Sequence, residues 1–313
     1  MDITSLALEM LVMLLLMLLG FYASKRGIVS EAGVRSISAL VTNITAPAMV
    51  LGAALGSETR LEPAVFARSF GLSAAIYALL IVAGYLVCAL LRAGPEERYS
   101  YLMPTVFGNV GFIGYPVCLA VLGRDSLLYA SISNLMYNLL IYTYGKQLLA
   151  RAAQRDEGAA DSPLKTLRLM LNVGTLSSLG ALAIYLIRPR VPTVLVETLD
   201  YAGSGTVFLS MLVLGCSLAA SPLRELILGG WKVYAYLAIR MLILPILLVL
   251  LLKLVVKDGL LLGTLAILVS LPGGSMPLML CRELGLEGRE LSRVIVLTTL
   301  ACLGTIPIVC LFL

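Results

Sequence analysis

The chain has 313 residues, 60% of them hydrophobic and only 13% charged, whereas a soluble domain carries about a quarter charged residues. It contains no histidine, which removes HExxH metal sites, Ser-His triads and histidine proton relays together. The formal charge of +5 fits basic loops beside a membrane and is no nucleic-acid signature.

Ten apolar runs follow one another, at about 6–24, 36–56, 66–91, 99–122, 126–149, 168–187, 197–219, 231–252, 259–281 and 292–312. Each is long enough to cross a bilayer, so the expectation is an all-α polytopic membrane protein with ten transmembrane helices. Met1-Asp2-Ile3 brings no basic n-region and no small-residue cleavage site follows Leu19. The first run is therefore read as a span and not as a signal peptide. It carries Glu9, and span seven carries Asp200, each a short way in from the membrane surface. Either acid could take a coupling proton or sodium, although interfacial acids are mostly solvated.

Span two holds Asn43 four residues before Pro47. The amide could reach a site across a domain interface or simply join helices. Span four contains "GNVGFIGYP" at 108–116, with Gly108, Asn109, Gly111, Gly114 and Pro116. Proline removes a backbone donor and clashes with the preceding turn; glycine permits close approach and unusual dihedrals. The stretch predicts a break at mid-membrane, where unwound backbone survives only if protein buries it or it lines a polar cavity. Asn109 can contact a carboxylate or satisfy the unwound backbone. On span five, Asn134, Tyr137, Asn138 and Tyr142 form a polar stripe at helical spacing, read either as pathway lining or as interhelical hydrogen bonding.

The loop after span five, 151–167, reads as a cytoplasmic linker between a first five-span unit (1–150) and a second (168–313). Arg240 in span eight lies nine residues past Trp231, roughly 13 Å deep. It could be the fixed cation for an anionic substrate, pair with Asp200 or a helix C-terminus, or snorkel. Span nine holds "LPGGSMP", with Pro272, Gly273, Gly274, Ser275 and Pro277, and predicts a second break. Six cysteines lie in or beside the spans with no paired spacing, and read as small packing residues.

Two patterns join these elements. With the N-terminus outside, 15 of the 23 basic residues fall in inner loops and seven outside, which predicts both termini outside. Pro116 and Gly123 of span four return as Pro277 and Gly285 about 162 residues later, and Gly52 matches Gly215. Five spans per unit force the second copy to enter from the opposite side, so the plan is two inverted repeats with broken crossover helices four and nine. Half-helix N-termini meeting at the midplane suit anions. The residues expected to form the site are Asn109, Gly111, Gly114, Pro116, Asn43, Asn138, Pro272, Gly273, Ser275 and Arg240, with Gly108, Pro47 and Pro277 as hinges; no catalytic, metal or cofactor site is expected.

At these residues the chain resembles the auxin efflux carrier family, whose fourth-span signature is similar to GNVGFIGYPV. "APAMVLGA" in span two, "RMLILP" in span eight, "CRELG" at 281–285 and "LTTLACLGTIP" ending at Pro307 also fit. The chain departs from the family where Phe208 and Met276 stand in place of its usual Pro and Asn, and where Val173 follows Asn172. The resemblance implies a scaffold of spans 1, 2, 6 and 7 and a transport part of spans 3–5 and 8–10. It implies carriage of a small mono- or dicarboxylate across the cytoplasmic membrane, and an architecture that a homodimer suits. An ion-coupled symporter or antiporter, a channel, a non-transporting sensor and, least supported, an intramembrane enzyme are the other readings.

Overall fold

A computed structural model describes residues 3–59, 61–95, 97–153, 163–220 and 230–313; most of the linker stretch, with its Asp-Ser pair at 161–162, lies outside them. The described chain is helical, with one isolated backbone bridge. Among the described residues, six helices are long and apolar enough to cross a membrane: Leu6–Lys25, Glu31–Gly56, Pro63–Leu90, Thr193–Ala220, Trp231–Val255 and Arg289–Cys310. Shorter apolar helices are Val110–Leu122, Val173–Ile187 and Gly259–Val269. Large apolar side chains such as Leu8, Leu11, Leu15 and Leu18 on the first helix, and Val82, Leu86 and Leu90 on the third, lie exposed. An apolar surface of this extent needs lipid around it, and the chain is a multi-pass membrane protein.

The apolar runs of spans four and nine are each interrupted. Arg98–Val106 ends before Phe107, and helix resumes at Val110. Gly259–Val269 ends before Ser270, and helix resumes at Met276. Elsewhere the widened π turns Val41–Thr45, Val110–Gly114 and Ile239–Ile243 each lead into a helix with proline in its first turn, Pro47, Pro116 and Pro245. The residue four back from each proline lies within the π turn, so the wider turn makes room for the ring where an α-turn would clash. A fourth π turn, Ile141–Gly145, continues Ser126–Leu140 into Lys146–Ala152.

Packing falls into two groups. The first helix lies along Thr193–Ala220, which also packs on Ala46–Gly56, itself against Val173–Ile187. The second group joins Pro63–Leu90 to Arg98–Val106 and Ser126–Leu140, and the helices after Trp231 to one another. Helices Val173–Ile187 and Ser126–Leu140 make the broadest contact between the groups.

Candidate functional site

The two interrupted segments meet. Gly108 and Gly273 form an antiparallel bridge, in which the Asn109 amide donates to Pro272 O at 2.8 Å and the Gly274 amide donates to Phe107 O at 2.9 Å. The bridge thereby pairs one amide and one carbonyl of each break, which removes part of the cost of unwinding in a medium without water. The Gly273 amide donates to Thr298 Oγ1 at 3.2 Å. Thr298 is fully buried on the last helix, and sequence reasoning missed it; a polar Thr-Thr pair within an apolar run was the available signal.

Glycine is needed here for space. A Cβ on Gly273 would lie 2.6 Å from Pro104 Cβ, and one on Gly274 would lie 3.0 Å from Gly108 O. None of the break glycines has a positive φ. Positive φ occurs instead at Gly123 and Gly285, which follow the half-helices Tyr115–Leu122 and Met276–Glu283.

Asn109 caps its own half-helix. Its Oδ1 accepts from Phe112 N at 3.2 Å, and its carbonyl accepts from the Ile113 and Gly114 amides. Its Nδ2 has no hydrogen-bond partner among the described residues. Residues 101–110 are buried throughout, and Gly114, Pro116, Pro272, Gly273, Gly274 and Pro277 are buried with them. The accessible part of the crossing is Gly111 and Phe112 from one break and Ser275 and Met276 from the other. Ser275 is exposed and begins Met276–Glu283 without a side-chain cap, so the first amides of that half-helix lack the usual oxygen partner.

The other expected site residues are spread more widely. Asn138 donates to Asn134 O at 2.9 Å, and its Oδ1 accepts from Asn172 Nδ2 at 3.0 Å. Asn134 donates to Ser178 Oγ at 3.0 Å, which also lies 3.2 Å from Tyr115 OH. The span-five stripe thus joins Ser126–Leu140 to Val173–Ile187, the interhelical reading of those residues. Tyr137 sets its ring edge-on to Phe107 at the break, centroids 5.6 Å apart. Asn43 is exposed, and its side chain has no hydrogen-bond partner among the described residues; its π turn packs on Thr193–Ala220 and Val173–Ile187. Pro47 follows that turn.

Arg240 is 1% exposed, which rules out snorkelling. Its Nε donates to Pro104 O at 3.4 Å, Nη1 to Val269 O at 2.9 Å and Nη2 to Leu271 O at 3.1 Å. Of the partners the sequence allowed, the structure gives it helix C-termini. Asp200 pairs instead with Arg124, whose Nη1 and Nη2 both lie 3.1 Å from Oδ2. Beside this pair Ser57 donates to Asp125 in a short bond of 2.5 Å. Glu9 is half-buried. Behind the crossing a cavity of about 20 Å³, lined by Ser73, Tyr77, Gly108, Ser133 and Arg240 among apolar side chains, has room for one or two waters and is too small for an organic substrate.

A family model described as membrane transport protein matches residues 6–310 of the chain. An uncharacterized transporter of Methanocaldococcus jannaschii is 24% identical over 226 residues, covering 68% of this chain and 69% of that protein.

Proposed function

This chain belongs to the membrane transport protein family, that of the auxin efflux carriers its motifs resemble, and on that premise we propose that it is a secondary transporter of a small mono- or dicarboxylate. The observation that carries the substrate class is the crossing of the two breaks. Asn109 Nδ2 is an unspent donor, and the uncapped start of Met276–Glu283, at Ser275, follows three residues after Pro272, the residue paired with Asn109 across the crossing. Both supply N–H groups and neither supplies a negative charge, the combination an anion requires.

In this reading the ten apolar runs are ten spans in two inverted five-helix units, 1–150 and 168–313, with both termini outside. The group containing the crossing moves against the group built on the first helix and Thr193–Ala220, exposing the crossing to each side in turn. Ser275, Gly111 and the Asn109 side-chain amide meet the substrate, and the small cavity behind them stays closed to it.

The test is thermal stabilisation of the purified protein by a panel of mono- and dicarboxylates, because a ligand that binds only the folded state raises its unfolding midpoint. A saturable shift with wild type that Asn109→Ala loses is expected. No shift with any carboxylate contradicts the substrate class, and a shift that Asn109→Ala retains contradicts the placement. Binding without flux would identify a sensor.

A further inference from the structure

The surroundings of Arg240 pose a problem of charge. The guanidinium is buried and no carboxylate pairs with it among the described residues. Its partners are three backbone carbonyls, one from the end of Arg98–Val106 and two from the end of Gly259–Val269 and the residues just after it. These are the two half-helices that run into the breaks. Each helix C-terminus carries roughly half a negative charge. Two of them converging on one guanidinium sum to about one charge, so the backbone itself supplies the counter-ion.

In carriers built on broken helices, unwound carbonyls and half-helix C-terminal ends are the groups that coordinate a coupling cation. Here those groups are already occupied by a cation covalently attached to the chain. The adjoining cavity of about 20 Å³ has Arg240 itself on its wall, so a second cation there would meet a like charge. Two of the hydroxyls that line it, Ser73 and Ser133, bond each other at 2.7 Å. Tyr236, one turn before Arg240, is itself buried and holds Thr105 at 3.0 Å, which fixes the neighbouring turn of Arg98–Val106.

We propose that Arg240 is a tethered cation standing permanently where a coupling metal ion would bind, so that the carrier cycles without sodium. This rests on the transporter reading above and adds to it the absence of a coupling metal cation. It also gives Arg240 a positioning role: it ties both half-helix ends together and sets the crossing without touching substrate.

The first arm of the experiment needs neither substrate nor flux. Unfolding midpoints of wild type and Arg240→Ala are measured in sodium, potassium and choline chloride at equal ionic strength, and then with methylguanidinium at sub-denaturing concentration. The wild-type midpoint is expected to be the same in all three salts. Arg240→Ala is expected to lose about 5–10 °C, because three buried carbonyls are left unpaired, and to recover part of the loss saturably with methylguanidinium, which leaves wild type unchanged. Saturable stabilisation of wild type by sodium overturns the proposal, and so does an Arg240→Ala midpoint equal to wild type. If Arg240→Ala is not recovered folded, the wild-type sodium titration decides. The second arm replaces sodium by choline on both sides of proteoliposomes, and carboxylate flux is expected to be unchanged. Sodium-dependent flux refutes the tethered cation and leaves the carrier standing, whereas absence of carboxylate flux in either salt counts against the transporter reading and leaves the first arm to judge Arg240.

Discussion

At the scale of single residues, Asn109 does two jobs with one side chain. Its oxygen caps the half-helix through Phe112 N, and its nitrogen is left over. Substitution separates the two. Asn109→Ala loses the cap, worth about 1 kcal/mol, and the donor. Asn109→Asp keeps an oxygen for the cap and replaces the donor with a negative charge. The expected outcome is a near-normal unfolding midpoint for Asn109→Asp with carboxylate stabilisation abolished, read by the same thermal assay. Gly273 carries a different kind of constraint. Its Cβ would collide with Pro104, a ring with little freedom to yield, so Gly273→Ala should destabilise by about 1–3 kcal/mol. A denaturation midpoint equal to wild type would show that the two breaks pack more loosely than described.

At the scale of elements, the two groups of helices are held together by contacts of unequal strength. The Asn134–Ser178 and Asn138–Asn172 bonds are largely buried, whereas the Arg124–Asp200 pair is half-exposed. An exposed pair contributes at most about 1 kcal/mol. That is little for folding, but it is enough to bias two conformations of similar free energy. Asp200→Asn should therefore leave the unfolding midpoint nearly unchanged and raise the rate of maleimide labelling of a cysteine placed at Ala54, buried one turn before Ser57. The native cysteines are buried and give a low background. An unaltered labelling rate would mean that the pair does not hold this face closed.

Loop carboxylates set the acid limit. Burial works to raise the pKa of Asp258, but hydrogen bonds from the Leu261 amide, the Tyr129 hydroxyl and the Leu260 amide, with the charge of Arg68, outweigh it and hold the carboxyl below its usual range. Glu97 is lowered chiefly by its hydrogen bond to Lys232, at 2.8 Å. A depressed carboxylate contributes stability above its unfolded pKa and loses it as pH falls through the folded one. The unfolding midpoint should thus be level from neutral pH to about pH 5 and fall below about pH 4. Asp258→Asn should flatten part of that fall, which a pH series of melts will show.

At the scale of the whole molecule, the order of apolar runs and the positions of both breaks were readable in the sequence, because glycine and proline act on the backbone where they stand. The π turns before Pro47, Pro116 and Pro245 have the same local origin. What could not be read was partnership. The bridge between Gly108 and Gly273, the Thr298 hydroxyl under the Gly273 amide and the three carbonyls around Arg240 join segments that only tertiary packing brings together. Arg240 shows the limit well. Its place inside an apolar run is plain from the sequence, but its partners are backbone atoms, and no residue type marks a backbone carbonyl that has lost its helical donor.

The central claim is that the paired breaks hold a carboxylate in a carrier. It is tested most directly by entrance counterflow in proteoliposomes, using labelled malonate and a panel of unlabelled mono- and dicarboxylates, for wild type and Asn109→Ala. Saturable counterflow with at least one carboxylate is expected for wild type, reduced at least about tenfold in Asn109→Ala, the equivalent of about 1.4 kcal/mol. Absence of counterflow with every member of the panel, flux that rises without saturating, or equal flux in the variant would contradict it.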